Sequence, residues 1–273
     1  MNFRAINQSL VALRAEPFDR SEMVNQLLFG EVFEVFEEYK GWLRVRLSHD
    51  SYEGWVDQKA SIELTNEQWE WMSLPEVVTV ATRFFSAKNK AEDYPIRLCP
   101  GSSLYHFNPT EGSFRLGTET YKTYSIPTDT PGKTCRETLV ERAVEFVNSP
   151  YLWGGRSPYG IDCSGLIQVL FKMSRISIPR DANQQVAHGS IVSFINMAQP
   201  GDLAFFDNEE GLITHVGMIM PNASIIHSSG YVRIDSIDQH GIYSAKAKTY
   251  THKLRVVKDL ISGASNGSVN GKQ

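Results

Sequence analysis

Cys163 stands in the run Gly160-Ile161-Asp162-Cys163-Ser164-Gly165, where a loop rich in Gly and Pro delivers it to the first turn of an amphipathic helix. There the unpaired backbone N–H groups and the positive end of the helix dipole favour thiolate over thiol. The same N–H groups can hold the oxyanion of a tetrahedral intermediate. A nucleophilic sulfur needs a base, and the base needs a group to orient it. His215 and His227 lie on two apolar runs joined by Pro221-Asn222-Ala223. With a three-residue loop, their even separation puts both side chains on one face as diagonal neighbours. The chemistry this set predicts is acyl transfer through a thioester.

Each of these residues has a plainer reading. A cysteine is commonly a small buried hydrophobe, and that is the reading for Cys99, in a turn before Pro100, and for Cys135, which no histidine is placed to serve. The histidine pair could bind metal with Cys163 as a third ligand, but no carboxylate is spaced to complete the set. No metal and no cofactor are expected. His49, His106, His188, His240 and His252 lack a comparable setting and are read as bystanders.

The chain that positions these groups has 273 residues, enough for two or three domains. Its 27 Lys and Arg against 31 Asp and Glu give a net charge of −4, with no basic cluster to recruit nucleic acid or an anionic membrane. No run approaches the roughly 18 apolar residues of a membrane span. Three cysteines make a poor disulfide framework, so reduced thiols are expected. The opening MNFRAINQSLVALRAEPFDRSE lacks the regions of a signal peptide, which reads as cytoplasmic, although a trimmed leader would leave the same sequence.

Residues 1–64 are short β runs broken by turns, with strands expected at Val11–Arg14, Glu31–Phe36, Trp42–Leu47 and Gly54–Val56. Five or so short strands in this length suggest a small barrel. Residues 65–127 repeat the pattern and predict a second small barrel, with TNEQWEWMSLPE as the link between the two. IPTDTPGKT (126–134) is a Pro, Gly and Thr linker. Thr134 with Glu137 then makes a capping box that opens a helix, striped by Leu139, Ala143, Phe146 and Val147. A second helix from Cys163 to Ser174 carries Leu166, Val169, Leu170 and Met173. After Pro200-Gly201 the pattern turns to strands: DLAFFD, HVGMIM, SIIHSS and HKLRVV. Helices followed by an antiparallel sheet give an α+β domain over 128–261. The tail 262–273 is rich in Ser, Gly and Asn and is expected to be disordered.

Two resemblances now become specific. LRAEP…SEMVNQLLFGEVFEVFEEYKGWLRVRLSHDSYEGWVD resembles a bacterial SH3 domain, with its W-x-x-V and terminal G-W-V. PYLWGG…DCSGLIQVLF…IPRDANQQ…PGDLAFFD…THVGMIM…IIHSSG resembles the NlpC/P60 domain, six linked motifs in the family's order. The resemblance implies a papain-like fold behind two SH3-like barrels. It also implies Cys163 as nucleophile, His215 as base and His227 as the third polar residue. The order of modules further resembles the cell-wall-recycling dipeptidyl peptidases. These release L-Ala-γ-D-Glu from peptidoglycan-derived peptides with a free amino terminus, cutting before the diamino acid.

A pocket for that amine needs acceptors. Asp162 can supply a carboxylate, Ser164 a hydroxyl, and in the subfamily a tyrosine of the first barrel, matched here by Tyr52, closes the pocket. Glu22 is a looser second carboxylate, Tyr151 and Trp153 wall the site, and Arg180 meets the D-Glu carboxylate with its guanidinium. Each has an ordinary alternative. Asp162 can be the helix N-cap, a role compatible with amine binding. Arg180 can pair with Asp181 or a surface acid, Trp153 can be core, and Tyr52 a plain barrel residue. Ala182 departs from the serine that some recycling enzymes carry, which puts one carboxylate contact in doubt. Two other classes stay open: an acyltransferase or amidase on the same scaffold, and a non-catalytic wall-binding adaptor. A monomer is expected.

Overall fold

Alternation with a period of two builds the N-terminal strands. In Trp42–Leu47, Leu43, Val45 and Leu47 are buried while Arg44 and Arg46 face water. The preceding strand meets it through Lys40-Gly41, both at positive φ (48° and 84°), a two-residue turn whose twist matches the strands it joins. The computed structural model describes residues 2–72, 77–89, 92–125 and 135–264. The chain divides into two units, one of Met1–Pro131 with Trp153–Pro158 and one of Gly132–Leu152 with Tyr159–Gln273.

In the first unit, β1 (Asn2–Ile6), β2 (Leu10–Arg14), β3 (Met23–Leu28), β4 (Val32–Tyr39), β5 (Trp42–Leu47), β6 (Glu53–Asp57) and β7 (Ser61–Leu64) form one antiparallel sheet in the order β3-β2-β6-β5-β4-β1-β7. Three of these strands went unread in the sequence, for a physical reason. β1 holds buried Arg4, whose guanidinium bonds Ser61 Oγ at 2.9 Å and Glu63 at 2.7 Å. β3 holds buried Asn25 and Gln26. Buried polar residues, with Arg4 bonded to distant Ser61 and Glu63 and Gln26 to Arg156, break the alternation on which a strand prediction rests.

The segment expected to be a link carries helix α1 (Asn66–Met72). Thr65 N–H donates to Gln68 Oε1 at 2.9 Å and Gln68 N–H to Thr65 Oγ1 at 3.2 Å, a reciprocal capping box. Trp69 stacks on Phe3 with centroids 3.9 Å apart, and Trp71 stacks on His106 at 4.1 Å. Six further strands, β8 (Val77–Thr79), β9 (Phe85–Asn89), β10 (Ile96–Leu98), β11 (Ser103–Asn108), β12 (Ser113–Leu116) and β13 (Glu119–Thr123), make a second antiparallel sheet. One apolar cluster spans both sheets, with Phe3, Phe29 and Leu64 of the first packed among Leu104, Phe114 and Tyr121 of the second. That shared core draws residues 1–64 and 65–127 into a single unit. The two-residue strand β14 (Arg156–Ser157) belongs to this unit as well.

In the second unit, α2 (Cys135–Glu145) buries Leu139 and Ala143, with Phe146 just beyond it. The capping residue Thr134 and the linker 126–134 lie outside the described residues. β15 (Gly160–Ile161) leads into α3 (Cys163–Met173), which is buried all round apart from Lys172 and so sits as a core helix. After α4 (Ala182–Gln185) come β16 (Ser190–Val192), β17 (Leu203–Asp207), β18 (Ile213–Met220), β19 (Ser224–Ser229), β20 (Tyr231–Asp238), β21 (Gly241–Ser244) and β22 (Thr249–Asp259). Their order is β16-β22-β17-β18-β19-β20-β21, and β21 also pairs with β22, which closes six strands into a ring. Ala204, Phe206, Ile219, Ile225, Ile237, Ile242 and Val257 fill one face, and α3 lies against β18 and β19. The tail expected to be disordered from residue 262 begins within a short helix, α5 (Ile261–Ala264), and residues 265–273 lie outside the described residues.

Candidate active site

Asp162 caps α3 in extended backbone (φ −90°, ψ 178°), its Oδ1 accepting the Gly165 N–H at 2.7 Å. This cap fixes Cys163 as the first residue of the helix, 9% exposed. The backbone N–H groups of Val216, next to His215 on β18, and of Ser164 face the sulfur. Burial nevertheless pushes the thiol up to about 11, and the Asp162 carboxylate adds to the rise, while the two N–H groups and Arg180 oppose it. The sequence expectation of a thiolate at the helix tip thus meets an opposing effect, because desolvation of the buried sulfur works against the helix terminus. The other two cysteines are also held up by burial, Cys99 to about 11.

The histidines stand as the loop length predicts. Met218 pairs with Ile226 and Met220 with Ser224 around Pro221-Asn222-Ala223, so His215 and His227 are diagonal neighbours. His215 Nε2 lies 2.9 Å from His227 Nδ1, and His227 Nε2 lies 3.1 Å from Asp235 Oδ2. The Arg233 Nε–H donates to the same carboxylate oxygen at 2.7 Å. A carboxylate can only accept, so His227 carries its proton on Nε2 and offers the Nδ1 lone pair. His215 then donates from Nε2, and its own lone pair is left on Nδ1. The series Asp235–His227–His215 thus selects the tautomer in which His215 is a base. Burial holds His215 well below 6.5, reinforced by His252, His227 and Arg233. Burial likewise lowers His227 to about 4, with Asp235 opposing the shift.

Two residues here went unrecognised in the sequence. Asp235 was within reach of the reasoning: the β19–β20 hairpin turns at Gly230 and pairs His227 with Arg233, so Asp235 lies two residues along on the same face. His252, read as a bystander, is in fact against the pair. Its ring stacks on His215 with centroids 4.2 Å apart and an interplanar angle of 25°. Nitrogens of His215, His227 and His252 all lie within 4.8 Å of one another, a set able to supply three metal ligands. Metal binding needs lone pairs that converge, and stacked rings run theirs side by side. The Nε2–Nδ1 hydrogen bond also fills the space between the other two rings. The arrangement suits proton transfer better than coordination.

The predicted substrate-binding residues separate. Arg180 is 1% exposed and makes two bonds to Asp162, Nη1 to Oδ1 at 3.0 Å and Nη2 to Oδ2 at 2.6 Å, with a third to Ser164 Oγ at 2.8 Å. The expected role of Arg180 as an anchor for the D-Glu carboxylate meets a guanidinium already paired with a buried internal carboxylate. Asp162 is a cap and ion-pair partner, so the amine-binding role expected of it meets a carboxylate bonded on both oxygens. Ser164 completes this cluster and also lies 3.3 Å from Asp162. Ala182, buried, opens α4. Tyr151 is 38% exposed, and burial, joined at high pH by the charges of Cys163 and Asp162, lifts its hydroxyl to about 12.

The remaining candidates lie in the first unit. Trp153 is 61% exposed rather than core, and its Nε1–H donates to Glu22 at 2.7 Å. Beside it Gly154 sits at φ 75°, and a Cβ there would fall 2.4 Å from Met23 O, so only glycine allows the approach. Arg156 is fully buried and grips Glu31 through both terminal nitrogens at 2.9 Å, with Gln26 accepting at Oε1 and O. Tyr52 packs partly on the first barrel's core and lines a cleft of about 470 Å³ with Glu16, Val24, Arg44, Glu53 and Trp55.

The NlpC/P60 family matches residues 148–253, and the bacterial dipeptidyl-peptidase SH3 domain matches residues 13–60. A gamma-D-glutamyl-L-lysine dipeptidyl-peptidase of Bacillus subtilis (strain 168) is 31% identical over 216 residues, covering 74% of this chain and 71% of that protein. The chain belongs to the NlpC/P60 family. As a member with an SH3 domain in front, it is a hydrolase of the peptidase kind. A dipeptidyl-peptidase 6 of Lysinibacillus sphaericus is 28% identical over 267 residues, 85% of this chain and 90% of that protein. An NlpC/P60 family protein from Bacillus cereus ATCC 10987 shares the fold, with a TM-score of 0.77 at 19% identity, covering 95% of this chain and 99% of that one. Cys163, His215, His227, Asp235 and His252 all fall inside the NlpC/P60 match.

Proposed function

We propose that this NlpC/P60 peptidase hydrolyses the bond between γ-D-Glu and the diamino acid of peptidoglycan-derived peptides with a free N-terminal L-Ala, releasing L-Ala-γ-D-Glu. The observation that carries the reading is the series Asp235–His227–His215, which leaves a lone pair on His215 Nδ1, on the strand whose next N–H faces the Cys163 sulfur. Cys163 is held as a thiol, so its proton passes to His215 as the sulfur attacks the γ-glutamyl carbonyl. The N–H groups of Val216 and Ser164, already aimed at the sulfur, stabilise charge as it builds. The imidazolium of His215 then protonates the leaving amine, and water activated at the same nitrogen hydrolyses the thioester.

The substrate class is supported by relatives named for γ-D-glutamyl-L-lysine and dipeptidyl-peptidase activity. A role in recycling wall peptides, a cytoplasmic location and a monomeric state belong to the same proposal. No helix among the described residues is long and apolar enough to cross a membrane. The test offers L-Ala-γ-D-Glu-diaminopimelate and its lysine counterpart, each with a free and an acetylated amine, and follows products by mass spectrometry. Dipeptide release from the free forms only is expected. Equal cleavage of the acetylated forms removes the amine requirement, and full activity in Cys163→Ala removes the mechanism.

A further inference from the structure

We propose that His252 is a positioning residue for the base, its imidazole holding the ring plane of His215 by face-to-face stacking; this rests on the reading of His215 as the base. Among the described residues His215 makes one side-chain hydrogen bond, through Nε2 to His227. That bond acts on an atom close to the Cβ–Cγ axis and opposes rotation only weakly, and the torsion of histidine itself has a broad, two-fold profile. Rotation about that torsion swings Nδ1, the nitrogen that must meet the thiol proton. The faces of the ring are what oppose it. His252 lies on His215 with centroids at 4.2 Å and 25° between planes, the tightest ring contact His215 makes among the described residues. Phe206 and His227 touch it more obliquely, at 5.7 Å and 46° and at 5.1 Å and 85°.

His252 is itself held. Thr251 Oγ1 lies 2.9 Å from its Nδ1, Phe206 meets it edge-on at 5.9 Å, and His227 stands across it at 83°. The charged groups around it are Arg233 and Asp235 of β20. Burial and Arg233 keep it below its ordinary value, so at neutral pH the ring that faces His215 is uncharged. An uncharged aromatic face also favours the cation His215 becomes once it accepts the proton. The same contact thus orders the base before transfer and stabilises it afterwards.

The test compares His252→Ala and His252→Phe with the unaltered chain, each checked by thermal melting. Loss of ring order at a base is expected to lower kcat on the diaminopimelate peptide in His252→Ala by about tenfold or more, with KM within about twofold. His252→Phe, which keeps an aromatic face, is expected to recover to within about threefold of the unaltered kcat. In parallel, NMR relaxation of the ring C–H groups in histidine-labelled protein reads the mobility of the His215 ring. A rigid ring is expected in the unaltered chain and in His252→Phe, and a mobile ring in His252→Ala. Unaltered kcat or an equally rigid His215 ring in His252→Ala overturns the proposal, as does an equal loss in both variants. If His252→Ala does not fold, His252→Leu replaces it, having bulk but no aromatic face. Should the unaltered chain cut none of the peptides, the functional reading fails, and the NMR arm alone decides the positioning role.

Discussion

Nδ1 of His227 accepts a hydrogen bond from His215 Nε2 across 2.9 Å, and the bond has that direction only because Asp235 lies 3.1 Å from the far nitrogen of His227. A carboxylate two steps away therefore decides which nitrogen of His215 is free to take a proton. Neither histidine could set this alone, since a neutral imidazole adopts either tautomer.

Asp235→Ala removes the acceptor that holds the His227 proton on Nε2. Neither ring then has a fixed tautomer. A loss in kcat of about 10- to 100-fold with little change in KM is expected, the range typical of a group that orients a working histidine. Steady-state kinetics on the diaminopimelate peptide checks it, and a KM effect alone would place Asp235 at substrate binding.

Acid should destabilise the second unit. His215, His227 and His252 all have folded values below 6.5, so below that pH the unfolded chain binds protons that the folded chain refuses. Stability present above pH 6.5 is lost as pH falls toward the folded values. His227, lowered to about 4, contributes on the order of 3 kcal/mol to that loss. Urea midpoints between pH 7.5 and 4 should fall steadily, and His227→Gln should flatten the slope.

Alkylation of Cys163 should be slow at neutral pH. A thiol raised to about 11 exposes little thiolate at pH 7, and its rate with iodoacetamide should climb through pH 9 and beyond. Peptide mapping of modified Cys163 against pH measures this. A rate that is already flat from pH 5 to 8 would restore the resting thiolate.

Glu31→Ala strands the Arg156 guanidinium, which is fully buried and bonded to Glu31 by both terminal nitrogens. Removal of one partner from a buried ion pair costs about 3–5 kcal/mol. Glu31→Leu combined with Arg156→Met should cost much less than either single change, because no charge is left uncompensated. Denaturant unfolding of the first unit's aromatic signal separates the two outcomes.

Much of the site was legible because its determinants are local. The helix start at Cys163, the three-residue turn at Pro221-Asn222-Ala223 and the even spacing of His215 and His227 are short-range facts, and strand and helix periods convert them directly into geometry. Helix α1 was hidden by its position between two barrels, although its Thr65 and Gln68 capping box was present in the sequence. Strand β1 was hidden because Arg4 finds its partners more than fifty residues away.

The sequence by itself determined where a helix-opening cysteine and a histidine pair stand, the order of modules and the family, since each rests on residue identity and short spacing. Tertiary structure alone decided that Arg180 turns inward to Asp162, that the Cys163 sulfur is buried against its own helix terminus, and that His252 reaches His215 from a strand 37 positions away. Those outcomes depend on which strands close the ring and on how much water the packing expels. Both are properties of the assembled chain, and no window of residues carries them.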